Sequence, residues 1–443
     1  MPLHWQVLLW FLVCAPTVTH ANEQRWATFS QRVLPQLAIR QPIEDRRAAL
    51  REFASEDYPK AAAHLIGILE ARRVPLTLKR MTTKILAGYQ NSDAQALIAQ
   101  AAEDSKGTNL YLLEAYIAQK SPESRPFLLH LLRNAKSPAA QSIALDGLLF
   151  LPAAEVSDGF VNALINWVAD EDTFHGIRLS ATRLLGAIPN RKIIPFLIET
   201  LDDPLLTEES LASLLRLTGQ PIGVEATAWD AWFQQQPATY LPEPMGLHSF
   251  EVVLRKRKAD RAVAQQDHLE FFGRKLEGKR ILFLLDNSGS MDDDGRIERL
   301  QDEMKGMIQN LTPAYSFGII TFPGRRTPGR DFDQANSRYR EMAYDFADGM
   351  YASGSTPMGG ALEEAFDRLV RRKNVDTIYL LSDGEPTDVD ADDSLPELVL
   401  RLNEEARVRI HTLFIGDALA QPTARDLMEQ VAEENEGTFM EVP

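Results

Sequence analysis

The chain has 443 residues, 44% of them hydrophobic, with 63 acidic against 47 basic side chains and a formal charge of -16. That length exceeds what one compact domain holds, so two or three folding units are expected, and the acidic balance would repel a phosphate backbone, which excludes nucleic acid as a partner. Cys14 is the only cysteine, so no disulfide can form within the chain and core burial must supply the stability.

The first residues, MPLHWQVLLWFLVCAPTVTHA, hold an apolar stretch from Val7 to Cys14, a helix-breaking Pro16 and small residues at Thr19 and Ala21. This is the pattern of an export signal cleaved after Ala21, too short to span a bilayer. Val13 is larger than the residue a lipidation site at Cys14 would require. No later apolar run reaches the length of a membrane span, so the mature chain is expected to carry none and to work in the periplasm, at the cell surface or as a secreted protein of a bacterium.

From residue 22 to 236 one theme returns: an apolar segment of helical period, a break with Asp, Pro or Asn, and a second such segment. It is clearest at Arg46 to Glu70, Met81 to Glu103 and Gly176 to Leu201, and weaker at Asn109 to Asn134 and Ser142 to Val168. The spacing of roughly 30 to 37 residues resembles that of HEAT-type helical repeats, implying an all-α solenoid with an extended protein-binding face; an irregular helical bundle is the alternative. Trp229 and Trp232 share one helix face and are expected to close the last apolar layer. Pro237, Pro242 and Pro244 then break the pattern, so residues 237–278 read as a linker with a charged lead-in helix. Its basic run, Arg255 to Lys258, reads as a solvated helix face.

After Lys279 the rhythm changes. Strands are expected at Arg280 to Leu285, Ser316 to Phe322, Thr377 to Leu381, Arg407 to Ile415 and Thr438 to Val442. Helices are expected near Arg296 to Leu311, Gly359 to Arg371, Leu395 to Glu405 and Pro422 to Glu434, with another from about Ala335. The alternation implies an α/β, doubly wound and mainly parallel sheet, whose ligand sites lie at the carboxyl ends of the strands. No strand is evident between Pro323 and Tyr351, a stretch expected to hold a poorly marked edge strand.

At one such end, ILFLLDNSGSM places Asp286, Ser288 and Ser290 at alternate positions, so one carboxylate and two hydroxyls project to one side. Thr356 lies in the Gly-rich YASGSTPMGG just before a helix, and Asp383 directly follows an apolar strand in IYLLSDGEP. All are hard oxygen donors suited to Mg²⁺. DNSGS, GSTP and LSDGEP together resemble the three loops of the metal ion-dependent adhesion site of von Willebrand factor A domains, over residues 279–443. The resemblance implies a divalent ion, Mg²⁺ or Mn²⁺, held by Ser288 and Ser290 directly, by Thr356 directly or through water, and by Asp286 and Asp383 directly or one shell out. An open position would take an exposed Asp or Glu of a partner protein. Ser355 stands where relatives often have Gly, and a positive φ there would strain it.

Other readings fit less well. An EF-hand over SMDDDGRIERLQ would begin at Ser290 and end at Gln301 instead of Glu, so Asp292 to Asp294 read as a solvated turn before a helix. Thr387 to Asp393 likewise read as an exposed loop. His64 and His130 fall in repeat helices, His175 and His248 in loops and His411 in a strand, and none has the setting of a catalytic base. With no cysteine nucleophile and no Walker loop, binding is expected instead of catalysis. Two alternatives are an accessory subunit of a cytoplasmic chelatase or ATPase, which the export signal opposes, and a scaffold whose metal site is unused.

Overall fold

The computed structural model describes residues 23–150, 156–254, 269–326, 331–389 and 394–442. The expected export signal, residues 1–21, and the basic run Arg255–Lys258 lie outside these, as does part of the acidic loop, 390–393. The chain falls into two compact units, Met1–Leu131 and Leu132–Pro443.

The first unit is helical: α1 (23–33), α2 (Ile43–Glu52), α3 (Pro59–Glu70), α4 (Leu76–Ala87), α5 (Ser92–Asp104) and α6 (Leu110–Ala118), with α7 (Arg125–Asn134) running across the division. The breaks are set by local chemistry. Asn91 accepts from the backbone N–H groups of Asp93 and Ala94 to start α5, and Pro59 opens α3, where its missing N–H costs nothing. Helix packs on second neighbour, α2 on α4, α3 on α5 and α4 on α6, so that stripes too narrow to be buried singly merge into one core around Phe53, Leu65, Ile98 and Leu112.

The second unit continues this pattern with α8 (Pro138–Leu149), α9 (Asp158–Ala169), α10 (His175–Leu185), α11 (Ile193–Glu199), α12 (Thr207–Thr218) and α13 (Ala226–Gln234). Here α8 packs on α10, α10 on α12 and α11 on α13. The α12 helix stops at Gly219, whose φ of 72° suits a residue without Cβ. Trp229 is fully buried, donates Nε1–H to the Gly223 carbonyl at 2.8 Å and meets Trp232 edge-on at 6.0 Å, closing the last layer. A further helix, α14 (247–254), follows the proline-rich segment.

The sheet then forms. A small hairpin, β1 (Glu270–Phe271) and β2 (Arg274–Lys275), precedes β3 (Arg280–Asp286), β4 (Ser316–Phe322), β5 (Arg325–Arg326), β6 (Asp333–Gln334), β7 (Thr377–Ser382), β8 (Arg409–Phe414) and β9 (Phe439–Glu441). The order is β5-β4-β3-β7-β8-β9, with β6 also on β4. Neighbours from β4 through β9 run parallel, and β5 and β6 lie antiparallel to β4. These two short edge pieces occupy the stretch in which the sequence shows no strand, because two residues carry no alternation signal. The crossover helices are α15 (Arg296–Asn310), α16 (Ser337–Asp348), α17 (Met358–Ala365, extended by a π-helical turn, Phe366–Val370), α18 (Leu395–Asn403) and α19 (Pro422–Glu434).

β3 shows why the sheet is covered on both faces. Ile281, Phe283 and Leu285 pack with Leu300, Met304 and Tyr339 of α15 and α16, and Leu282 and Leu284 pack with Leu362, Val399 and Met428 of α17, α18 and α19. Each fully buried side chain of this kind contributes about 1.5–3 kcal/mol. The chain leaves β3 to one side for β4 and returns past it for β7, so the switch in strand order falls between β3 and β7.

Within the second unit the helices engage the amino ends of these strands. Lys279, just ahead of β3, places Nζ 2.9 Å from Glu171 and 3.2 Å from Asp203, and Asp203 also takes Arg178 at 2.8 Å. Asn374, ahead of β7, donates to the Thr173 carbonyl at 3.1 Å. His175 is no loop residue. It opens α10, is buried, and sets Nε2 3.3 Å from the Arg407 carbonyl and Nδ1 3.5 Å from Asn374 Oδ1. His248 likewise lies in helix α14.

Burial, the dominant cause, pushes the His175 imidazole down to about 4, with the Arg407 and Asn374 contacts opposing. Its folded value lies below its unfolded value of about 6.5, so its stabilisation is present above pH 6.5 and is lost as the pH falls towards 4. The stability advantage of wild type over His175→Asn in urea should therefore shrink by about 2 kcal/mol between pH 7.5 and pH 5. An advantage that stays constant over that range would mean that the ring is not held neutral.

Candidate metal centre

Asp286 is the last residue of β3 and fully buried. Its two oxygens are already engaged: Oδ1 accepts from the Ser288 backbone N–H at 2.7 Å and Oδ2 from the Ser382 hydroxyl at 2.5 Å. Burial raises its carboxyl to about 6, the two serines pull it back, and the Asp383 charge adds a smaller upward push. Asp286 thus fixes the turn after β3 from the protein side.

Ser288 is buried and Ser290 half-buried at the start of a short helical turn, Gly289–Gly295. Ser290 Oγ donates to Asp383 Oδ1 at 2.8 Å. Ser288 and Ser290 hydroxyl oxygens are 3.1 Å apart, and because the single hydrogen of Ser290 goes to the carboxylate, Ser288 donates in that pair. Asp383, directly after β7, has no exposed surface. The turn ends with Asp294 and Gly295 both left-handed, at φ 55° and 67°, and Asp292, Asp293 and Asp294 all face solvent.

The second loop is tied to the first by backbone. Gly289 N–H donates to the Gly354 carbonyl at 3.0 Å and Ser353 N–H to the Asn287 carbonyl at 2.8 Å. Asn287 Nδ2 donates to the Tyr351 carbonyl at 3.2 Å. The positive φ of this loop, 78°, falls on Gly354 and Ser355 is free of it, so the strain anticipated at Ser355 is not there. Thr356 is buried, and its carbonyl accepts from Met358 and Thr387, bringing the loop after β7 across it. Asp388, in that same loop, accepts from the N–H groups of Gly359 at 3.0 Å and Gly360 at 2.8 Å and so caps α17 from outside.

The donor set can be tested against a hard ion. Adjacent ligands of an octahedral Mg²⁺ stand about 2.9 Å apart when each is 2.0–2.1 Å from the ion. The Ser288–Ser290 and Ser290–Asp383 separations of 3.1 and 2.8 Å match two such edges. Among the described residues no group of three or more His, Cys, Asp or Glu gathers, which leaves hydroxyls as the ligands that fit. Ser288, Ser290 and Thr356 with Asp383 would hold the ion, and Asp286 would orient the turn.

Three contributors were not evident from the sequence. Ser382 supplies the hydroxyl on Asp286. Asp388 anchors the third loop. Arg296, the first residue of α15, sets Nη1 2.8 Å from Asp383 Oδ2, inside the centre. The one signal for Arg296 was its place directly after the Gly295 turn.

A family model for the von Willebrand factor type A domain matches residues 279–440. Those residues form a von Willebrand factor A domain. Over 118 residues the chain is 30% identical to inter alpha-trypsin inhibitor, heavy chain 4, of Mus musculus, covering 25% of this chain and 12% of that protein. Over 197 residues it is 25% identical to the uncharacterized protein YfbK of Escherichia coli (strain K12), covering 43% and 33%. The chain thus spans a third or less of the length of these relatives. Among solved structures, the von Willebrand factor type A protein from Catenulispora acidiphila matches with 18% identity and a TM-score of 0.32, covering 38% of this chain and 39% of that one. The Ser288, Ser290 and Asp383 side chains meet at the carboxyl ends of β3 and β7, opposite the strand ends that the helices grip.

Proposed function

We propose that this is a protein-binding molecule in which an Mg²⁺ or Mn²⁺ ion in the A domain bridges to a carboxylate of a partner. The single observation that carries this reading is the spacing of the Ser288, Ser290 and Asp383 oxygens, which suits the edges of one octahedron. An ion held mostly by neutral hydroxyls keeps much of its charge and retains waters, one of which an Asp or Glu side chain displaces. The serine hydroxyls of this centre are engaged with Asp383 and with each other, an arrangement suited to holding an ion, so binding is favoured over catalysis. The helical repeats supply a second surface, and the apolar leader directs the protein out of the cytoplasm. Among the described residues no helix is long and apolar enough to cross a membrane.

Calorimetry with Mg²⁺ and Mn²⁺ on the full chain should give binding heat that Ser288→Ala with Ser290→Ala abolishes. A pull-down from the native source should recover partners in Mg²⁺ that are absent in chelator. Heat unaffected by the double substitution, or the same catch in chelator, would overturn the metal-bridged reading, and an uncleaved cytoplasmic chain would overturn the exported one.

A further inference from the structure

We infer that Arg296 is a built-in counter-ion of the metal centre, a positioning residue that balances Asp383 before an ion arrives and leaves the loaded centre with one positive charge to offer an acid. This deepens the metal-bridged reading and rests on it.

The geometry is specific. Arg296 is 8% exposed and Asp383 fully buried. Nη1 pairs with Asp383 Oδ2 at 2.8 Å and also donates to the Ser290 carbonyl at 3.3 Å, and Nη2 reaches Asp294 at 3.5 Å. Asp383 is thereby divided, with Oδ2 turned to the guanidinium and Oδ1 to the Ser290 hydroxyl. A guanidinium does not lose its proton in a protein, so this charge is permanent. Counting the buried groups alone, with Asp294 83% exposed and screened by water, Asp286 and Asp383 bring two negative charges and Arg296 one positive, a sum of one negative. A divalent ion turns that sum to one positive, and one visiting carboxylate brings it to zero. Without Arg296 the loaded centre would already be neutral, and an arriving acid would leave it negative. Arg296 therefore weakens the grip on the ion and strengthens the demand for an acidic sixth ligand.

The test is thermal unfolding and calorimetry of the full chain with Mg²⁺ or Mn²⁺ alone, on wild type, Arg296→Met and Arg296→Lys. Arg296→Met should melt at a lower temperature without ion, recover most of the loss in saturating Mg²⁺, and bind the ion roughly tenfold or more tightly. Even at the dielectric of water, a single charge facing a double one at contact range costs that much. Arg296→Lys should behave as wild type. A melting deficit equal with and without ion, together with unchanged or weaker ion binding, would reduce Arg296 to packing and overturn the inference. If wild type shows neither heat nor stabilisation, the metal-bridged reading falls and the inference with it; if wild type binds the ion and Arg296→Met binds it no more tightly, the inference alone falls. Should Arg296→Met fail to fold, the same criteria apply to Arg296→Gln.

Discussion

Asp383→Ala is expected to lower the free energy of unfolding in urea by about 3 kcal/mol and to remove the response to Mg²⁺. Removing one member of a buried ion pair costs about 3–5 kcal/mol because the other is left charged in a medium that solvates it poorly. The lower end applies here, since Arg296 keeps Asp294 at 3.5 Å and that carboxylate is 83% exposed, giving part of the guanidinium a route to water. The pairing predicts a strong non-additivity. Adding Arg296→Met to Asp383→Ala should recover much of the loss, because no stranded charge remains. A loss under about 1 kcal/mol, or a double variant equal to the sum of the singles, would show that the pair does not couple.

Gly278→Ala should cost at least about 3 kcal/mol, through two causes that add. Gly278 sits at φ 90°, where a side chain is strained, and a Cβ there would lie 2.3 Å from Thr377 Oγ1 and 2.5 Å from Asp376 Oδ1. The site matters because Asp376 clamps the entry to β3. Its carboxylate accepts from the Lys279 and Arg280 N–H groups and from the Thr377 hydroxyl, and burial raises it to about 6. Moving Asp376 aside frees buried donors at about 1–3 kcal/mol each. Trimming Thr377 to Ala in the same background should recover only a fraction, since the backbone strain and the Asp376 clash remain. Equal unfolding midpoints for Gly278→Ala and wild type would show that this entry is more pliable than its geometry indicates.

Much of this was legible in the sequence because its signals are local. The run Ile281 to Leu285 is apolar on both faces, which only a strand covered on both sides needs, and β3 is that strand. Asp286, Ser288, Ser290, Thr356 and Asp383 were found by their positions at strand ends and before a helix, and the fold brings their loops together. The partners that set the electrostatics were hidden, because each meets the centre across a long loop. Arg296 and Asp383 are 87 positions apart, and Ser382 meets Asp286 across 96. His175 escaped for the same reason: what buries it, Asn374 and Arg407, lies 199 and 232 residues away, while the local segment offers no cap to mark a helix start. Ser355 was suspected of strain that Gly354 in fact absorbs, a distinction of one residue that composition does not resolve.

The helices of the second unit hold the sheet at Lys279, Asn374 and Arg407, where β3, β7 and β8 begin, and the candidate centre lies where β3 and β7 finish. A pull exerted by a captured ligand against an anchored helical array would therefore run lengthwise down the parallel strands. Loaded in that direction, the hydrogen bonds between β3 and its neighbours are sheared together instead of opening one after another like a zip. Tension between the carboxyl end of β3 and the amino end of β7 loads the ladder between these parallel neighbours in shear, a mechanical property to be read by stretching single molecules from those two points.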